Sequence, residues 1–288
     1  MLKIDLGLLT SLRRKSFHLP PARPVASPGE ARRFINRRGF VFFWPIKGIE
    51  LPSLWTAVAG DRPVAEAHDD PGHVTWGWKD SALPKRMWYY AKVLRRKATM
   101  ISLDVAPFFY ALSDNYGSLE EDHLQAYEDG RLTLAAKNIY DAVLEQGPLD
   151  SISLRKSAHM TGARESEWNR ALEDLQADFK LLPVAVAEVG SWRYAFVYDI
   201  TARHYPELPK AARRIGEAQA RARILELYFE SVGACQKRDI SKLFGWSLEI
   251  GDRALAPLLE SDVVVGAEHP TQGGEWLVLP RLCRKVLR

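Results

Sequence analysis

The sequence predicts a mainly α-helical fold with β-hairpin wings, arranged as tandem winged-helix (helix-turn-helix) domains. Three observations predict it. Arg170-Ala-Leu-x-x-Leu175 and Arg253-Ala-Leu-x-x-Leu258 each follow a short helix-turn and precede a β-rich run that turns at Gly and Trp, so one plan is written twice. Apolar residues recur at helical spacing before each run and alternate within it. At 288 residues, 47% of them apolar, the chain is long enough for two or three small packed domains.

Along the chain, residues 1–27 read as a basic, proline-rich N-terminal arm. Pro20, Pro21 and Pro24 predict an extended tether between residues 16 and 29, with Arg13-Arg14-Lys15 carried on a flexible arm. The apolar residues 1–10 are too few to span a membrane and lack a small-residue cleavage site, so neither a targeting nor a membrane segment is expected. Residues 85–97 contain six cations and no acid. On a helical wheel Met87, Tyr90, Ala91, Leu94 and Ala98 share one face, and Lys85, Tyr89, Lys92 and Arg96 the other. That predicts a helix with a buried and a cationic face. A solvated surface helix and a phosphate-contacting one fit this pattern equally; Tyr89 among the cations and Trp88 beside them favour nucleic acid slightly, because aromatics stack on exposed bases.

In residues 133–205, the second winged-helix domain, Leu132, Ala135, Ile139 and Val143 set a first helix ahead of Gly147-Pro148. Residues 149–160 give a second, and Trp168, Leu172, Leu175 and Phe179 the apolar stripe of a third. A hairpin follows, with residues 182–189 and 192–200 on either side of Gly190-Ser191. Residues 206–288, the third domain, repeat the plan. Ala220, Ile224, Leu227 and Tyr228 mark the first helix, residues 238–244 the second and 248–260 the third. Val263-Val-Val265 and Trp276-Leu-Val-Leu279 then flank Gly273-Gly274. Pro257 predicts a kink in the last helix or a displaced N-terminal turn.

The net charge of +4 is unevenly spread. Residues 1–60 sum to +7, from ten cations against Asp5, Glu30 and Glu50, so the remainder sums to −3. The third helices are acidic, with −3 over residues 164–178 and −2 over 248–260. A helix that reads base edges needs donors and cations, so neither suits a recognition helix. Cations collect instead on second helices, connectors and wings, including Arg155, Lys156, Arg193, Lys237, Arg238 and Lys242. That distribution suits sequence-independent phosphate contact. Cys235 and Cys283 are too few and too far apart for a metal knuckle or a disulfide framework, and fit a reducing cytoplasmic setting, nucleoid-associated when bound to DNA. His68 and His73 flank Asp69-Asp70-Pro-Gly, where a solvated loop is favoured over a metal site. No metal and no cofactor are expected.

Glu30-Ala-Arg-Arg-Phe34, Trp76-Gly-Trp-Lys-Asp-Ser-Ala-Leu-Pro84, Gly147-Pro148 and the third domain together resemble the AlkZ/YcaQ-like crosslink-repair DNA glycosylases. The match covers roughly residues 28–285, and the chain is identified as a divergent, AlkZ-related member of that superfamily. The resemblance implies a third winged-helix unit at residues 28–132, a concave basic surface around duplex DNA, and hydrolysis of an N-glycosidic bond without a metal. Members place two glutamines, one residue apart, in the first unit. Here the corresponding stretch reads Gly39-Phe-Val-Phe-Phe-Trp-Pro-Ile-Lys-Gly48, and the glutamines all lie downstream. A histidine of the Trp-Gly segment is replaced by Trp78. The resemblance supports scaffold and DNA more than reaction, and enzymatic activity stays open.

A carboxylate would have to orient water or face the developing sugar cation. Glu50, Asp80 and Asp104 are the acids in the corresponding region, although a helix cap or a surface ion pair is the commoner role for each. Lys79 beside Asp80 invites comparison with lysine-nucleophile glycosylases, but a Lys-Asp dipeptide alone shows no desolvation. Among the aromatics of the first unit, Trp44 and Trp78 are candidates to wedge or stack at a lesion, against a core role that is the commoner one. The expected partner is double-stranded DNA, held mainly through its phosphate backbone, with no membrane and no identified protein partner. Two other classes stay open: a transcriptional regulator, and a winged-helix protein-docking module.

Overall fold

A computed structural model describes residues 2–67 and 69–285. The chain is mainly helical with small antiparallel sheets, and it condenses into two compact bodies, Met1–Thr75 with Glu217–Arg288, and Trp76–Gly216. No helix among the described residues is long and apolar enough to cross a membrane.

In the second body the run is helix Leu134–Gln146, strand Leu149–Asp150, helices Ser151–Ser157 and Glu165–Ala177, and strands Leu181–Ala187 and Ala195–Ile200. Thr133 and Asp150 accept backbone N–H groups at the first turns of their helices, which satisfies orphan donors and fixes where each helix begins. Ala195–Ile200 is the central strand, antiparallel to both others. Ile139, Val143, Leu154, Trp168, Leu172, Leu175, Leu181 and Ile200 close one core beneath it.

The first body contains the same series: helix Glu217–Val232, strand Ala234–Cys235, helices Lys237–Phe244 and Leu248–Glu260, and strands Val265–Ala267 and Trp276–Val278. The last strand is again central. The paired motif acquires a physical meaning: Ala171, Leu172, Leu175 and Ala254, Leu255, Leu258 are buried, while Arg170 and Arg253 face solvent. The helix Leu248–Glu260 starts under a Ser247 cap and continues through Pro257, so the proline does not displace its first turn. The same order of elements also runs from Pro28: helix Pro28–Arg38, strand Phe40–Phe42, helices Leu54–Ala59 and Val74–Ala82, and strands Tyr89–Ala91 and Thr99–Ile101.

Three expectations are corrected. Residues 85–97 do not form the expected amphipathic α-helix; only Leu94–Arg96 make a short 3-10 turn. Tyr89–Ala91 and Thr99–Ile101 pair antiparallel, Tyr90 opposite Met100, and the chain reverses through Arg95 and Arg96, both at left-handed φ (55° and 53°). Consecutive aromatics buried on both faces of a strand outweigh the helical spacing. The Arg13-Arg14-Lys15 cluster is not on a flexible arm. It ends the helix Leu6–Ser16, which Asp5 caps, and Ser16 Oγ donates to the Ser231 carbonyl at 2.5 Å. Leu2–Ile4 pairs antiparallel with Cys283–Lys285. Finally, Phe179 lies beyond its helix. With φ at 56° it leaves the stripe and stacks between Tyr89 and Phe109.

Candidate nucleic-acid interface

The expected DNA-contacting cations fall into two groups. Lys92 and Arg96 are tied to Glu173 and Asp174 on the acidic helix Glu165–Ala177, at 2.9 Å and 2.5 Å. Arg155 donates to the carbonyls of Met160 and Ala163 and to Glu165, and lies over Trp168. Arg193 pairs with Glu188, and Lys237 with Asp252, the latter holding the Lys237 ammonium above its usual value by hydrogen bonding. Tyr89 is 0% exposed, its ring stacked 4.6 Å from Phe179, so it is sealed in the core and not offered to a base. Lys85, Arg95, Lys156, Arg238 and Lys242 are exposed and, among the described residues, have no acid within ion-pair distance.

Two of these cations lie together. Arg238 and Lys242 sit one turn apart on Lys237–Phe244, and Lys242 Nζ rests against the loop at Gly48, where a Cβ would meet it at 2.9 Å. The sharp turn there needs Gly48, whose φ is 74°. Exposed Lys47 precedes it.

Behind this edge, in the same body, is a cavity of about 320 Å³ lined by Arg13, Glu50, Tyr228, Arg238, Asp239 and Gln272, among others. Arg13 is held there by the carbonyls of Val232 and Ala234, at 2.9 Å and 3.1 Å, and turns its remaining guanidinium nitrogen toward Glu50 at 3.6 Å. Tyr228 is raised well above its usual range by burial. Asp239 is committed to a capping box with Gln236. The cavity therefore offers a half-exposed carboxylate, guanidinium groups and an amide to one ligand.

The other expected acids are placed differently. Asp104 is exposed on a turn. Asp80 joins a closed triangle: Lys79 Nζ donates to Asp80 and to the Tyr194 hydroxyl, both at 2.8 Å, and that hydroxyl donates to Asp80 at 3.0 Å. Lys79 is only 1% exposed. The rings of Phe196, Trp76, Tyr194 and Tyr90 surround its ammonium at 4.4 to 5.7 Å. Burial pulls this lysine below its usual value and Asp80 opposes the shift. The desolvation absent from the bare dipeptide is thus present in the fold, with the amine engaged by a carboxylate.

Trp44 and Trp78 are both half-buried, and Trp44 lies 5.4 Å from the Phe43 ring. His73 contacts the Ala65 carbonyl at 2.9 Å and packs edge-on to Trp55; His68 lies outside the described residues. Sequence reasoning missed Arg13 and Gln272 as cavity neighbours of Glu50, because nothing local links the two ends of the chain. It also missed Tyr194, for which alternation in a strand was the only signal.

The AlkZ-related family model matches residues 25–245. No curated protein sequence matches the chain. Among solved structures, the fold is similar to that of a Streptomyces sahachiroi DNA glycosylase, AlkZ, with a TM-score of 0.61 and 13% identity over 97% of this chain and 71% of that one.

Proposed function

The chain belongs to the AlkZ-related family, and from that premise we propose that it is a glycosylase-like DNA-repair protein that binds duplex DNA mainly through phosphates. The three repeated element series are read as winged-helix units at residues 28–132, 133–205 and 206–288. The observation that carries the reading is the exposed edge formed by Lys47, Arg238 and Lys242 beside the Glu50 cavity. Cations not spent on internal acids are those able to release counterions from DNA.

Glu50 is the carboxylate best placed for chemistry. Asp80 is engaged by a buried ammonium, and Asp104 is exposed on a turn. In hydrolysis of an N-glycosidic bond, positive charge develops on the sugar as the base departs, and water attacks C1′. A carboxylate beside that carbon orients the water, accepts its proton and stabilises the cation. Gln272 supplies a neutral amide in the same cavity, although the family's paired glutamines are absent.

The test is a panel of alkylated and crosslinked duplexes, scored for abasic sites by strand cleavage, with binding measured across salt. Binding that weakens steeply with salt, and base release lost in Glu50→Gln but kept in Asp80→Asn, is expected. No binding at low salt would sink the DNA reading. Release that survives Glu50→Gln would remove Glu50 from the chemistry.

A further inference from the structure

The hairpin between Leu181–Ala187 and Ala195–Ile200 ends in a tight turn, in which the Arg193 N–H donates to the Gly190 carbonyl at 3.1 Å. Ser191 and Trp192 are its two central residues. Turn apices ordinarily take Gly, Asn, Asp or Ser, residues that either tolerate the backbone or hydrogen-bond to it. Here one apex position holds tryptophan, 90% exposed, the most exposed of the large hydrophobic residues among those described. Trp44 and Trp78, in contrast, are half-buried.

The apex is also held in place. Gly190 has φ at 75°, and a Cβ on it would meet Ile152 Cδ1 at 2.7 Å, so the turn lies against the helix Ser151–Ser157. Two residues beyond Trp192, the Tyr194 hydroxyl is fixed by Lys79 and Asp80, and its ring packs against Trp76 and Phe196. A tip restrained on both sides of Trp192 needs little backbone ordering when a partner arrives, which lowers the cost of contact. Exposed Lys156 on the neighbouring helix supplies a cation for a phosphate flanking the contact, while Arg193 answers Glu188.

We infer that Trp192 is a stacking wedge that occupies the space of a missing or extruded base in duplex DNA, an inference that rests on the duplex binding proposed above. An indole face stacks on any base without reading its edge. Aromatic and apolar wedges at unstacked steps stabilise the distorted duplex from which a base can leave.

The test compares an intact duplex with the same duplex carrying a tetrahydrofuran abasic analogue next to 2-aminopurine, using wild type, Trp192→Ala and Trp192→Tyr. Wild type is expected to prefer the abasic duplex and to quench the 2-aminopurine. Trp192→Ala is expected to bind the intact duplex as wild type does, while losing about tenfold in preference and most of the quenching. Trp192→Tyr should restore both. Preference unchanged in Trp192→Ala, equal loss on both duplexes, or an altered oligomeric state would each overturn the wedge and leave phosphate binding standing. Failure of wild type to bind either duplex at low salt would overturn both readings.

Discussion

Replacing Asp80 with Asn isolates the worth of the triangle around Lys79. The substitution keeps shape and leaves an oxygen able to accept from Tyr194, but removes the charge opposite an ammonium that is 1% exposed. Breaking a buried pair in this way costs about 3–5 kcal/mol, because one charge stays buried and uncompensated. The surrounding rings and the Tyr194 hydroxyl still hold the cation, which places the expected loss near ~3 kcal/mol. Lys79→Met should cost less, roughly 1 kcal/mol, since the buried charge itself is gone and the partly exposed Asp80 stays hydrated. Equilibrium urea unfolding at neutral pH orders the two. The pH response separates charge from packing. Burial lowers the folded Lys79 pKa below the usual 10.5, so between the folded value and 10.5 the unfolded chain binds more protons and stability rises with pH. Asp80 opposes that shift, so Asp80→Asn should widen the window toward neutral pH, and Lys79→Met should abolish it. If Lys79→Met proves the more damaging, or if the Asp80→Asn deficit does not shrink as pH rises, the ammonium is not the source of the cost.

Further outcomes follow from the same contacts. Arg238→Ala and Lys242→Ala should each reduce the slope of log affinity against log salt by about 1, whereas Lys92→Ala and Arg96→Ala should leave it unchanged because those side chains answer Glu173 and Asp174. Equal slope changes in all four would reject the division. Burial, with Arg86 adding to it, holds the His204 imidazole down at about 4. Its folded value lies below the unfolded one near ~6.5, so its contribution is complete above that pH and is lost as pH falls toward 4. His204→Gln should flatten the fall in urea midpoint over this range, and superimposable pH profiles would exclude the residue.

The parts of the fold that were legible are those with a one-sided environment. Leu172 and Leu175, or Leu255 and Leu258, face a core while their neighbours face water, so a period survives in the sequence. The helix read over residues 248–260 is observed at those bounds, with Ser247 capping its first turn. Residues 85–97 carry a helical period in the sequence because Tyr89, Tyr90 and Ala91 are all buried, leaving no alternation to distinguish a strand. The docked N-terminal helix is not legible locally, because what restrains it, Arg13 on the Val232 and Ala234 carbonyls and Ser16 on Ser231, comes from the far end of the chain. Glu50 could be named from its residue type and region. Its cavity could not, because Arg13, Tyr228 and Gln272 reach it from distant segments.

Charge summed over single elements gives the wrong inventory of available cations. The two third helices are acidic, and taken alone they argue only against base reading. In the fold, Glu173 and Asp174 answer Lys92 and Arg96, Asp252 answers Lys237, and Glu165 answers Arg155. Each pair withdraws a cation from the solvent-facing set as well as an acid. What is left free is decided by geometry: on the helix Lys237–Phe244, one cation turns to Asp252 while Arg238 and Lys242 turn toward the loop that carries Gly48 and Glu50. A polyanion approaching that edge meets uncompensated charge beside a carboxylate cavity, whereas along Glu165–Ala177 it meets charge largely neutralised. On the proposed reading, the acidic helices narrow the set of cations that phosphate can meet, because they withdraw Lys92, Arg96, Arg155 and Lys237 from it.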